Sequence, residues 1–472
     1  MAKAALAAKD QSQSIHPVDQ MLPLSQLLIY GLQHVLAMYA GAVAVPLIVG
    51  SALKLSQEQI IYLINADLFT CGIATLIQTL GLGKIPIGIK LPVIQGCTFA
   101  AVTPMILIGG AHGLTAIYGS IIIAGLFTLL ISPFFSRLIA FFPPVVTGSV
   151  ITIIGISLLP VAVTWAGGGN PTASNFGNSE FIILAFVILL LILLIYRFFK
   201  GFISNIAILL GLVIGLLIAI PLGLTNFSAV ASSAWLGVTT PFRYGLPTFD
   251  IASTISMMLV MLVSMMETTG DFIAVGEIVG RPLTRSALTR GLQADGLSTI
   301  IGGILNSFPY TAFAQNVGLV SLTGVKSRFV VSSAGVILMA LGLFPKLAAI
   351  VASIPAPVLG GAGIALFGAV AANGIKVLSK VDFKDNNNLL IVAISVGVGL
   401  IPVGAPGIYH EFPGWLQIIL NSGITAGSIT AILLNLFFMA LRKPQPAAAE
   451  SAKAETEVEQ AETLYQPGLD VE

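Results

Sequence analysis

Charge is what this chain has least of. Of its 472 residues only 9% are Asp, Glu, Lys or Arg, against about a quarter in an ordinary soluble domain. That is too few to cover a water-exposed globule. The formal net charge of +1 supplies no field for nucleic acid, and no such partner is expected. The two cysteines, Cys71 and Cys97, sit in apolar segments, which excludes a disulfide framework. None of the four histidines has a second His or Cys at ligand spacing, so no metal is expected. No nucleophile elbow, phosphate loop, GxGxxG turn or HExxH helix stands out, so the chain is not expected to be an enzyme.

What is abundant is apolar: 56% of residues are hydrophobic and the mean hydropathy is +0.99. Runs about one bilayer long recur from Leu24 to Phe438, so an all-α polytopic membrane protein is expected, with the lipid bilayer as its first partner. Runs bounded by Gly, Pro, Asn or charge give about fourteen segments, at 24–50, 58–82, 89–107, 114–135, 144–164, 180–198, 203–223, 251–279, 293–306, 310–322, 327–345, 355–377, 389–404 and 414–441. The polar start lacks a cleavable signal, which places it in the cytoplasm. If every segment then crosses, 18 of the 21 Lys and Arg fall on the cytoplasmic side, leaving only Lys54, Arg243 and Lys346 outside. That asymmetry follows the positive-inside rule and favours an even count, with both termini cytoplasmic. The acidic Pro/Ala/Glu tail beyond Arg442 reads as disordered.

The halves answer each other weakly. Aligning Pro144 with Pro357 sets PVVTGSVITIIGI on PVLGGAGIALFGA, and the broken LPVIQGCTFAAVTP corresponds in position to FPYTAFAQNVGLVSLTG. Seven segments per half is an odd number, so a duplicated half enters the membrane in the opposite sense. Matched, Gly/Pro-interrupted segments 3 and 10 are then the pointer to a transporter's binding site, because non-helical backbone survives in hydrocarbon only where protein or a cavity covers it.

Four acids lie inside spans: Asp67, Glu267, Asp271 and Asp295. A charge at the bilayer centre costs about 3 kcal/mol on insertion scales, so each implies a cavity or a partner. Glu267 and Asp271 are four apart on one helix face. They repel, burial disfavours ionising both, and no Lys or Arg lies in their span, which suits the pair to proton coupling. Asp67 serves either function or a bond to a neighbouring helix; His34, preceded by Gln33, either a site or helix-to-helix hydrogen bonding. Glu277 is expected to pair with Arg281.

The run from Gln315 to Gly324, QNVGLVSLTG, resembles the signature Q/E/P-N-x-G-x-x-x-x-T-R/K/G of the nucleobase–ascorbate transporter family (nucleobase:cation symporter-2) at every specified position. Gln33-His34 resembles its first-helix motif and MMETTGDFIAVGEIVGRP its eighth-helix block. The resemblance spans about Leu22 to Phe438. It implies two inverted seven-segment repeats whose segments 3 and 10 carry short extended stretches. It also implies a leader at 1–21, a core domain at 22–136 and 250–346, a gate domain at 137–225 and 354–441, a tail at 442–472, and a homodimer contacting through gate domains. Carried over, Glu267 would accept hydrogen bonds from the purine ring N–H groups and Gln315 would contact its carbonyl edge. Phe99 would stack on the ring, with Phe313 and the Ala314 backbone closing the other side. Asn316, Gly318, Thr323 and Gly324 would shape the signature loop, Gln33 and His34 would support the site, and Asp295 would act in proton coupling. Asp271 and Gly324 point to xanthine, whereas Thr98 and NVGLVSLTG point to the urate branch. The expectation is a proton-coupled purine permease of the bacterial inner membrane, xanthine first and urate as alternative or second substrate, with uracil less favoured and no cofactor beyond the proton. An anion transporter of related architecture competes, but there a carboxylate at Glu267 would repel the anion held by helix N-termini.

Overall fold

The computed structural model describes residues 15–83, 85–138 and 142–441. The first residues of the leader and the whole acidic tail lie outside the described residues. Among those described, fourteen helices have ten residues or more: α1 Leu24–Ala52, α2 Gln57–Leu80, α3 Val102–His112, α4 Leu114–Leu138, α5 Pro144–Ala166, α6 Ser179–Phe198, α7 Ala207–Ala219, α8 Ile251–Val279, α9 Arg285–Ile304, α10 Ala314–Thr323, α11 Arg328–Leu341, α12 Ala356–Leu378, α13 Asn386–Gly404 and α14 Gly423–Leu441. Two short strands, β1 Gln95–Cys97 and β2 Tyr310–Ala312, precede α3 and α10. Eight helices are long and apolar enough to cross a membrane, or up to ten if each of two bent pairs is one span. The chain is a multi-pass membrane protein.

Local chemistry sets the helix ends. Ser56 and Gln59 form a capping box at the start of α2, and Asp250 caps α8 through the Ser253 N–H at 2.8 Å. The segment expected at 293–306 begins earlier, at Arg285, because Thr284 caps the Ala287 N–H and the polar first turns project past the apolar stretch. Three other segments are shorter or broken. The run at 203–223 divides into a turn at Phe202–Asn205 and α7. The run at 327–345 ends at Leu341 and bends by 83° into a short helix that Pro345 opens. That at 414–441 bends by 78° between Gly414–Leu420 and α14, where the Ser422 hydroxyl accepts from the Thr425 N–H. Arg281 pairs with Asp19 at 3.1 Å rather than with Glu277, because the short turn Pro17–Asp19 folds under the basic ends of α8 and α11. Arg328 grips the same carboxylate at 2.7 Å, and Val18 is fully buried.

The helices pack in two sets. In one, α4 lies on α9 and α8, and α2 and α1 lie on α11; in the other, α5 and α12 form the axis on which α6, α7, α13 and α14 pack. Swapping the two halves of the chain maps these contacts onto one another: α4 on α9 becomes α11 on α2, and α8 on α4 becomes α1 on α11. The central pairs run antiparallel over small residues. Gly125 meets Ile300 and Gly296 meets Leu129; likewise Gly148 meets Leu378, Gly155 meets Ala371 and Gly360 meets Ala166. Without side chains at these points the backbones approach closely, which is how helices associate in lipid.

Candidate substrate site

Where the first set of helices opens, β1 and β2 pair antiparallel, Gln95 opposite Ala312, Gly96 opposite Thr311 and Cys97 opposite Tyr310. Two strands of three residues satisfy only part of their backbone, so the surrounding helices complete it with side-chain oxygens. The Gln95 N–H donates to the Thr75 hydroxyl at 3.0 Å, the Tyr310 N–H to the Thr299 hydroxyl at 3.1 Å and the Ala312 N–H to the Thr268 hydroxyl at 3.0 Å. The Phe313 N–H reaches the Ile94 carbonyl at 3.1 Å, and the Thr98 N–H the Pro309 carbonyl at 2.9 Å. Gly96 lies under the Phe313 ring, which also abuts Gly41 of α1; a Cβ at either position would collide with it.

Helix α8 contacts β2, α10 and the 3-10 turn Phe99–Ala101. Its Thr268 shares a hydrogen bond of 2.8 Å with Thr311, and its Ser264 hydroxyl donates to the Thr98 hydroxyl at 3.2 Å. Glu267, between these two anchors, is half-buried, as is Phe99, whereas Ala314 and Gln315 in the first turn of α10 are exposed. The helix that carries Glu267 thus packs against both the Phe99 turn and α10, the element that begins with Ala314 and Gln315. Phe313 stays buried at 4% exposure beneath the strands. Phe99 touches the second helix set through Phe367 of α12, with the rings edge-on and centroids 6.0 Å apart.

The remaining sequence-derived residues lie around these elements. Asn316 donates through Nδ2 to the His34 carbonyl at 2.9 Å and lies 3.1 Å from His34 Nδ1. Because a carbonyl can only accept, the amide's orientation is fixed. Nδ1 therefore accepts and the imidazole proton sits on Nε2. Gln33 is half-buried, with Oε1 unpartnered among the described residues. Thr323 and Gly324 end α10: the Thr323 hydroxyl donates to the Leu319 carbonyl at 2.9 Å and Gly324 adopts φ +66°, a conformation that suits glycine. Gly318 is exposed on α10, with open space where a Cβ would stand. Asp271 is half-buried and within electrostatic range of both Glu267 and Asp295. Asp295 is 1% exposed and accepts from Gln78 Nε2 at 2.9 Å.

Asp67 belongs to a different cluster. Its carboxylate accepts from the Tyr310 hydroxyl at 3.0 Å, Ser307 at 3.3 Å, Cys97 Sγ at 3.5 Å and Cys71 Sγ at 3.7 Å. It ties α2 to both strands. Sequence reasoning did not single out Ser264, Thr268, Thr311, Gln78 or Gln95. Their one signal is a polar residue within a turn of an intramembrane acid or inside a broken segment. A cavity of about 310 Å³ between the ends of α5, α13 and α14, bounded by Pro143, Lys380, Asn388 and Phe438 among others, involves none of these residues.

A multi-pass membrane bundle with unwound strands beside a titratable helix is the build of a secondary transporter, not of an enzyme. The chain belongs to the Permease family, whose Xan_ur_permease profile it matches over residues 25–408. It is 50% identical over 425 residues to a xanthine permease of Bacillus subtilis strain 168, covering 90% of this chain and 96% of that one. To the uric acid transporter UacT of Escherichia coli K12 it is 48% identical over 437 residues, covering 92% and 90%. In fold it is similar to the transmembrane domain of the cyanobacterial bicarbonate transporter BicA, with a TM-score of 0.56 at 14% identity over 89% of this chain and 100% of that one.

Proposed function

We propose that this protein is a proton-coupled uptake permease for purine nucleobases, with xanthine its first substrate and urate its alternative or second. The observation that carries the reading is that α8, the helix of Glu267, packs against the Phe99 turn, β2 and α10, beside the paired strands. A planar heterocycle rich in ring N–H groups needs one stacking face and a few fixed acceptors. Phe99 offers the face, Glu267 the acceptor and Gln315 a donor and acceptor for the carbonyl edge. The names of the xanthine and uric acid relatives support that substrate class. An anion held between the half-helices, as the fold of the bicarbonate transporter would suggest, would meet the charge of Glu267.

The swap of contacts between halves, the paired strands and the charge asymmetry support fourteen segments in two inverted repeats, β1–α3 and β2–α10 being the broken third and tenth. The set around α4, α9, α2 and α11 is the core domain and the set around α5 and α12 the gate, through which two copies pair. The leader and tail face the cytoplasm of a bacterial plasma membrane. Proton coupling falls to Glu267, Asp271 and Asp295.

The test is uptake of radiolabelled xanthine in cells lacking their own purine permeases, with unlabelled urate, hypoxanthine, guanine and uracil as competitors. Accumulation should collapse on adding a protonophore, and xanthine and urate should compete best. Downhill flux indifferent to the protonophore, or better competition by uracil, would refute the reading.

A further inference from the structure

Gln78, in the last turns of α2, is completely buried and its side chain meets three elements. Its Oε1 accepts from the Ile89 N–H at 2.9 Å; its Nε2 donates to the Gly291 carbonyl at 3.0 Å and to Asp295 Oδ1 at 2.9 Å. A backbone N–H can only donate and a backbone carbonyl can only accept, so these two groups lock the amide against a flip. The locked amide presents a donor, never an acceptor, to Asp295 Oδ1. A proton on Oδ1 would make that oxygen a weaker acceptor for the N–H, which favours Oδ2 as the place for it. Oδ2 is buried with no hydrogen-bond partner among the described residues, and the carboxyl lies beside Thr268 and Gln95.

Gln95 differs from Gln78 in one respect: neither polar atom of its amide makes a well-formed hydrogen bond among the described residues, and although the amide interacts with the Asp295 carboxyl, no backbone group locks its orientation. It can turn its NH2 toward an ionised Oδ2 or its carbonyl oxygen toward a protonated one. Gln95 opens β1, and its backbone is held by Thr75. Of the other elements packed on α9, α8 contributes Asp271 and, beyond it, Glu267; β2 contributes Tyr310, bonded to Asp67 of α2; α4 sets Gly125 and Leu129 against Gly296. No Lys or Arg is paired with Asp295 among the described residues.

Building on the proton-coupling role given to Asp295 above, we propose that Gln78 is a positioning residue that directs the coupling proton to Oδ2, where Gln95 relays its presence to the binding-site strand β1. Loading forms one O–H bond at Oδ2 and unloading breaks it; the proton comes from water on one side and returns to water on the other.

The full-length transporter is tested in the same permease-deficient cells with two substitutions. Gln78→Glu keeps an acceptor for Ile89 but donates to Asp295 only while itself protonated; Gln78→Met removes the donor outright. Xanthine counterflow, which needs an intact site but no net proton movement, should survive in both. Proton-driven accumulation should fall roughly tenfold in Gln78→Met, the loss expected for one hydrogen bond to a charged group, and its pH profile should change shape. In Gln78→Glu, accumulation should be confined to acid pH. Should Gln78→Met not reach the membrane, the pH profile of Gln78→Glu decides alone. A wild-type profile and accumulation ratio in the variants, or parallel loss of counterflow and accumulation, overturns the assignment to Gln78. Wild-type accumulation that ignores a protonophore overturns proton symport itself, and this inference with it.

Discussion

At the scale of single residues, Glu267 is the centre of the proposed substrate site. Replacing it with Gln keeps size and one acceptor but removes the charge proposed to draw ring N–H groups. Glu267→Gln should abolish xanthine uptake while leaving membrane expression unchanged, as transport and a blot of the same cells will show. Thr98 is engaged twice, accepting from Ser264 and from the Ala100 N–H at 3.2 Å at the start of the Phe99 turn. Thr98→Asn should keep the cap, since Asn serves there too, yet set a bulkier amide beside Phe99 and, on the proposed reading, narrow selection toward xanthine. Unlabelled urate should then compete less well than in the wild type. The intramembrane acids were legible in the sequence because a charge amid apolar residues stands out. Their division of labour was not: Asp67 looks much like Asp295 in sequence, and only the placement of Tyr310, Ser307 and the two cysteines reveals it as a structural tie.

Among the secondary-structure elements, the strand pair depends most on its neighbours. Thr268→Val removes the hydroxyl that accepts from the Ala312 N–H and leaves that donor buried and unsatisfied, a loss of about 1–3 kcal/mol. The variant should melt at a lower temperature in detergent, and xanthine should stabilise it less than it does the wild type. At the other end of α8, Asp250 caps the helix; bonds from the Ser253 N–H and hydroxyl hold its carboxyl below the usual carboxylate range. A carboxyl so lowered stabilises the fold above its unfolded value and loses that contribution as pH falls through its folded value. Asp250→Ala should therefore cost about 1 kcal/mol near neutral pH. The gap in melting temperature from the wild type should shrink once pH drops below about 4. The broken segments announced themselves through Pro, Gly and polar residues, but not their antiparallel register. Pairing between residues more than two hundred apart leaves no local pattern, and the partners of the strand backbone are hydroxyls scattered over three helices.

For the whole molecule, the proposed proton coupling would set how far uptake can run. One proton moved inward down 100 mV gains about 2.3 kcal/mol, enough for roughly fifty-fold accumulation of a neutral base. That ratio should follow the imposed potential in vesicles. The two helix sets meet their counterparts over small residues, so Gly155→Leu should overpack α5 against Ala371 and cost about 1–3 kcal/mol, read as a lower melting temperature together with lost uptake. Periodic hydropathy and the asymmetry of basic residues made the membrane class legible. The bends after Leu341 and at Ser422 escaped it, because a hydropathy run does not distinguish one straight helix from two joined at an angle.

The strands impose an order on biogenesis. Cys97 leaves the ribosome long before Tyr310 does; at about 5–20 residues per second the delay is of the order of 10–40 seconds. Throughout that interval β1 lacks its mate: the Gln95 N–H can already meet Thr75 of α2, but the Thr98 N–H must wait for the Pro309 carbonyl. A ribosome stalled before Tyr310 would release a chain holding most of its oily mass but no strand pair. The meeting of two three-residue ribbons is thus the first of several late events that complete the bundle, ahead of the packing of α11 on α2 and of α12 on α5.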